Sequence, residues 1–172
     1  MSLIMKCLKT LMALTTLLFI IITFNTSAQF RDDKILYITV QNDKDTLLAG
    51  SQMAFSVKIH LKDGWHINSA KPIDEFSVPT TLNINSSVNV DTANIVYPEA
   101  ITIKNAMDDT LIPVYSNLSE IKGFLKIPAE AEAGKVKVNF ELQYQACNNQ
   151  TCLAPDKEVI EKEFVIIKSR IK

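Results

Sequence analysis

From Lys135 to Ala146 the residues alternate in character without a break. Val136, Val138, Phe140, Leu142, Tyr144 and Ala146 form one stripe, and Lys135, Lys137, Asn139, Glu141, Gln143 and Gln145 form the other. A period of two fits an extended strand, whereas a helix would repeat its faces every 3.6 residues. Such a strand puts one face on a core and one in water, so it needs neighbouring strands and a second layer over its apolar side. Phe55, Val57, Ile59 and Leu61 repeat the pattern against Ser56, Lys58 and His60. Further strands are expected over 35–40, 78–84, 88–96, 119–127 and 159–167, all compatible with antiparallel pairing. Turn signals separate them: Lys62-Asp63-Gly64, Tyr97-Pro98, Pro128 with Gly134, and Pro155-Asp156. No segment reads as an amphipathic helix, and 129–133 offers one turn at most. The fold class expected is therefore all-β, an immunoglobulin-like antiparallel β-sandwich, with a barrel as its rival. Residues 102–113 are the least regular and are expected to form a long loop between strands.

The N-terminus obeys other rules. Lys6 and Lys9 precede an uncharged, mostly apolar run of 15 residues from Thr10 to Phe24, and Thr26-Ser27-Ala28 supplies small residues before Gln29. That is the layout of a secretory signal peptide, expected over residues 1–28. It is shorter than the ~20 apolar residues of a membrane span. The mature domain is then expected over residues 29–172, exported, with no further run long enough to span a membrane. Without Lys6 and Lys9, 16 basic residues stand against 19 acidic ones. No basic cluster stands out, so nucleic acid is not an expected partner. Cys7 leaves with the signal, and two cysteines remain where disulfides persist.

Those two, Cys147 and Cys152, end the longest stripe, separated by Asn148-Asn149-Gln150-Thr151 and followed by Leu153-Ala154-Pro155. The polar spacer and the proline place them at a hairpin tip. A structural disulfide is the default reading of such a pair in an exported domain. Two arguments weigh against it and leave redox exchange open. A ring this small gains only about 2 kcal/mol from loop closure, against nearly 5 for a long loop. By parity Cys147 also continues the polar stripe and should point toward solvent, where a disulfide is open to exchange. The spacer carries no positive charge and no helix starts nearby, so the thiolate is not strongly favoured and a passive carrier fits better than a strong oxidant. His60 and His66 could complete a Cys₂His₂ metal site, but the spacing matches no zinc signature and no metal is expected. Nor is any other cofactor, and neither histidine has an evident orienting carboxylate for hydrolytic catalysis.

Gln143-Tyr144-Gln145-Ala146-Cys147, the short polar loop, and Cys152-Leu153-Ala154-Pro155 resemble the cysteine segment of the N-terminal periplasmic domain of the thiol:disulfide interchange protein DsbD, also called the disulfide bond corrector domain. Upstream, Lys62-Asp63-Gly64-Trp65-His66-Ile67-Asn68 is similar to the family's Asp-Gly-aromatic stretch. The resemblance implies an immunoglobulin-like sandwich whose redox pair relays electrons between thioredoxin-fold partners, a protein-disulfide reductase component. Cys152 would form the mixed disulfide and Cys147 would resolve it. It also implies a cap loop over the pair. By position that cap is 105–113, with Met107, Leu111 and Ile112 as apolar covers and Trp65 and Tyr144 as further candidates for shielding, although Trp65 is also an ordinary core aromatic and Tyr144 faces the core by parity. Asp74-Glu75-Phe76, a tripeptide the family's cap can carry, lies early in the chain and is expected to match by accident. The spacer is four residues where the best-known members have five. No thioredoxin-like domain follows Lys172, so the electron donor is expected in trans. A non-catalytic immunoglobulin-like binding module with a structural disulfide is the alternative from another class.

Overall fold

The computed structural model describes residues 34–168, apart from 89 and 106–108. The expected signal peptide and Met107 lie outside the described residues. Twelve strands occur and no helix among the described residues: β1 (Leu36–Asn42), β2 (Thr46–Leu48), β3 (Gln52–Leu61), β4 (His66–Asn68), β5 (Thr81–Ser86), β6 (Asp91–Val96), β7 (Ile101–Lys104), β8 (Leu111–Ser116), β9 (Leu118–Lys126), β10 (Gly134–Tyr144), β11 (Ala146–Cys147) and β12 (Asp156–Ile167). They form three four-stranded sheets, in the orders β1-β3-β9-β6, β2-β12-β10-β5 and β11-β4-β8-β7. Every pairing is antiparallel except that of β2 with the end of β12, which is parallel.

The first two sheets make an immunoglobulin-like sandwich. The two stripes seen in the sequence face each other: Met53, Phe55, Val57, Ile59 and Leu61 from β3, and Val136, Val138, Phe140, Leu142 and Tyr144 from β10, are all buried in one core. Phe55 and Phe140 meet edge to face across the layers, ring centres 5.3 Å apart, an arrangement that suits the quadrupoles of two aromatic rings. Opposite Phe55 in the register stands Gly123. A β-carbon there would lie 2.7 Å from Phe55 Cζ, so the ring occupies the space a side chain would need. The outward face of β10 and β12 is a charge ladder, Lys135–Glu163 and Lys137–Glu161 at 2.7 Å and Lys157–Glu141 at 3.0 Å. Exposed pairs of this kind add little stability and keep the face in water.

The third sheet grows from the ends of the first two. After Leu61 the chain turns through Lys62-Asp63-Gly64, where the Trp65 amide donates to the Lys62 carbonyl at 3.0 Å and Gly64 takes φ +80°. Glycine reaches that left-handed conformation without a steric cost. β4 follows directly. β10 ends at Tyr144, and β11 pairs with β4 through Ala146↔Ile67 and Cys147↔His66. The expected long loop over 102–113 is instead largely a hairpin, with Ile101–Lys104 paired to Leu111–Val114. Thr102, Ile103 and Ile112 have the β-branched side chains a strand favours, and Pro113 is accommodated within β8.

Candidate redox site

Cys147 and Cys152 form a disulfide, and the backbone explains why they meet. The Leu153 amide donates to the Ala146 carbonyl and the Asn148 amide to the Thr151 carbonyl, both at 2.9 Å. Bonds that flank a residue pair without joining it define the non-hydrogen-bonded position of an antiparallel ladder, where facing residues approach closest. The two Cα atoms are 4.0 Å apart. Asn148 closes the turn, since its Oδ1 accepts from the Gln150 amide at 2.8 Å and the Thr151 amide at 2.9 Å. An asparagine that caps its own turn in this way is the reason the four-residue spacer is compact. Gln145 Nε2 ties the far side, donating to the Leu153 carbonyl at 2.9 Å.

The two sulfurs have different environments. Cys152 is exposed, whereas Cys147 is only 5% exposed. This corrects the expectation that Cys147 points to solvent. Alternation does put Ala146 toward the core with Ile67 and Tyr115, and Cys147 on the opposite row with His66 and Ser116. That opposite row is not bare, however, because the third sheet and its loops enclose a cavity of about 480 Å³ there.

Both cysteines line this cavity together with His66, Asn68, Ile73, Asp74, Phe76, Lys104, Leu111 and Ile112. Leu111 and Ile112, named above as candidate covers, are among the lining residues. Trp65 packs against the hydrophobic core, and Tyr144 is buried within it. Burial first, then Asp156 and Glu158, push the Tyr144 phenol up to about 12. Neither Trp65 nor Tyr144 lines the cavity. Asp74 and Phe76, expected to be an accidental match, stand at the cavity beside the cysteines. Phe76 is 88% exposed and Ile73 is 74% exposed, two large apolar side chains held out in water.

The loop that carries them is anchored at its base. Asn68 Nδ2 donates to the Val78 carbonyl at 3.0 Å, Thr80 Oγ1 donates to the Asn68 carbonyl, and the Ala70 amide donates to the Tyr115 hydroxyl at 3.1 Å. Asn68, Ser69 and Thr80 are buried. At the tip, Asp74 accepts from the Ser77 hydroxyl at 2.6 Å and from the Ser77 and Phe76 amides at 2.8 and 3.0 Å. Those hydrogen bonds, the Ser77 hydroxyl first, hold its carboxyl below the usual carboxylate range. Buried polar groups with complete partners fix a loop base firmly.

The local sequence of the hairpin is uncharged, but folding brings one cation, Lys104, and one carboxylate, Asp74, to the cavity. Opposite signs at one rim do not jointly favour a thiolate, as a lone cation would. His66 stands directly across from Cys147, and burial lowers its pKa. His60 is elsewhere, stacked on Tyr37 with ring centres 4.4 Å apart. Among the described residues no group of three or more His, Cys, Asp or Glu is arranged to hold a metal ion. Of the cavity residues, Ile73 and Lys104 carry no signal in the sequence, whereas Asn68 lies in the family-like stretch after Gly64 and Asp74 and Phe76 in the tripeptide.

Fold and site define an immunoglobulin-like domain with a half-open disulfide at one end, beneath loops that present apolar side chains. The sequence profile described as "Thiol:disulfide interchange protein DsbD, N-terminal" matches residues 36–163, and the chain belongs to that family. Among solved structures, the N-terminal periplasmic domain of ScsB from Proteus mirabilis is similar with a TM-score of 0.53 at 15% identity, over 76% of this chain and 47% of that one. The chain therefore spans about half the length of that ScsB structure. The DsbD N-terminal domain of Neisseria meningitidis in the reduced form aligns with a TM-score of 0.46 at 14% identity, over 82% of this chain and 98% of that one. A complex of the DsbD and PilB N-terminal domains from the same organism aligns with a TM-score of 0.40 at 14% identity, over 74% and 80%. No curated protein sequence matches. No helix among the described residues is long and apolar enough to cross a membrane.

Proposed function

We propose that this protein is an exported, periplasmic thiol–disulfide exchange module that relays electrons between thioredoxin-fold partners through the Cys147–Cys152 pair. The observation that carries the reading is the asymmetry of the pair, with Cys152 exposed and Cys147 buried at the same cavity. Thiol–disulfide exchange proceeds by in-line attack on one sulfur, which forms a mixed disulfide and expels the other. Here only Cys152 is open to a docking thiolate, so Cys152 takes the partner and Cys147 is the sulfur released. In the reverse direction Cys147 resolves the mixed disulfide. Ile73, Phe76 and Leu111 surround the approach and supply apolar area that a partner would cover. Family membership supports the same reading.

The test is equilibration of the oxidised protein with a reduced thioredoxin-fold protein under native conditions. Exchange without denaturant, at a potential above the roughly −300 mV below which structural bridges lie, is the expected result. A bridge that such a partner leaves untouched would make this a binding domain with a structural disulfide.

A further inference from the structure

Release of Cys147 poses a problem that the accessibility of Cys152 does not solve. When the disulfide is reduced, the electron pair of the S–S bond goes to Cys147 Sγ, which is buried. A thiolate left in such a place is costly without a proton or a donor. The groups around it are few. From β4, His66 faces Cys147 directly in the register, and β8 presents the Ser116 hydroxyl on the other side of His66. Tyr115 belongs to the alternate, core-facing row. The loop between β4 and β5 brings Asp74, whose carboxylate is engaged by Ser77 and Phe76. Lys104 lies on β7, separated from β11 by two intervening strands. His66 is thus the titratable side chain placed next to Cys147, and it opens on the same cavity.

We propose that His66 is a catalytic residue of the exchange, passing the proton between the cavity and the Cys147 sulfur. This rests on the exchange reading above. A partner thiolate attacks Cys152 Sγ, the Cys147–Cys152 bond breaks, and the partner–Cys152 mixed disulfide forms. The proton given up by the partner's second thiol reaches Cys147 through His66. That second sulfur, now a thiolate, attacks the partner's own sulfur in the mixed disulfide and releases Cys152, which is protonated by water at the open rim. The partner dithiol has become a disulfide, and the pair has become two thiols. With an oxidised acceptor the path reverses, and His66 takes the Cys147 proton as the thiolate attacks the mixed disulfide. A ring whose pKa burial has lowered is neutral near pH 7 and ready for that second task.

The full chain is tested with dithiothreitol as the reductant, so the result does not depend on finding the natural partner. The rate of reducing Cys147–Cys152 is followed from pH 5 to 9 in the wild type and in His66→Gln, with thermal unfolding as a check of folding. The expected result is about a hundredfold slower reduction at pH 7 and loss of an inflection below pH 6.5, the ordinary histidine value. An unchanged rate and profile would overturn the proposal. Should His66→Gln fail to fold, the imidazole is titrated by NMR in the oxidised and reduced wild-type protein. Coupled titration with Cys147 after reduction is expected, and identical His66 curves in the two states would overturn the assignment. If dithiothreitol gives the His66 effect while no thioredoxin-fold protein reacts, the partner reading fails and the role of His66 stands.

Discussion

Cys147 and Cys152 face each other at a non-hydrogen-bonded position of one hairpin, yet one sulfur is covered and the other is open. The hairpin brings them together, and the third sheet makes them unequal.

Asn148 stabilises the closed turn through two backbone donors. Asn148→Ala removes both, at about 1 kcal/mol for the turn. To the extent that the reduced hairpin is looser, this loss falls on the disulfide form, and the potential should rise by about 20 mV. Equilibration against a glutathione series measures it.

Phe140→Ala should cost about 3–5 kcal/mol, because it empties the centre of the core and removes the edge-to-face partner of Phe55. Gly123→Ala should cost about 1–3 kcal/mol, because the new methyl meets Phe55 at 2.7 Å and forces the ring to move. Urea unfolding checks both, and an unaltered midpoint would contradict the packing described.

Much of this core was legible in the sequence. The period of two in 135–146 and 55–61 marks the two strands whose apolar faces meet at its centre, and Tyr144 and Ala146 lie on the side their parity assigns. What parity misjudged was Cys147. Alternation tells which face a side chain takes, and only tertiary structure tells whether that face meets water. The hairpin of β7 and β8 is hidden in the sequence because Asn105, Asp109 and Pro113 read as loop residues, while the strand-forming residues between them are few and the pairing they make is short. Asp74 and Phe76 lie far from the cysteines in sequence, and the fold closes that distance by anchoring their loop through Asn68 and Thr80. The cysteine pair is plain because Cys147 and Cys152 are the two cysteines outside the expected signal peptide.

Tyr144 gives a pH dependence whose sign follows from its environment. Its pKa is raised from 10.0 to about 12 in the fold. The folded form then holds a proton that the unfolded chain releases above pH 10, so the contribution is full below that pH and is lost as pH rises toward 12. Stability should therefore decline across this window, and Tyr144→Phe should flatten that part of the decline in a urea series.

His66 acts at the other end of the scale. Burial lowers its pKa from 6.5, so the unfolded chain binds the proton more readily. Stability should fall as pH drops below about 6.5. A His66→Gln protein that unfolds as readily as the wild type at pH 7, yet less readily relative to it at pH 5, is the expected outcome in thermal melts.

The most direct test of the account is capture of the mixed disulfide. A reduced thioredoxin-fold protein whose resolving cysteine is replaced by serine is mixed with the oxidised protein, and the adduct is mapped by peptide mass spectrometry. The account predicts a link to Cys152, with Cys147 free as a thiol. A link to Cys147, or no adduct until the protein is denatured, would contradict it.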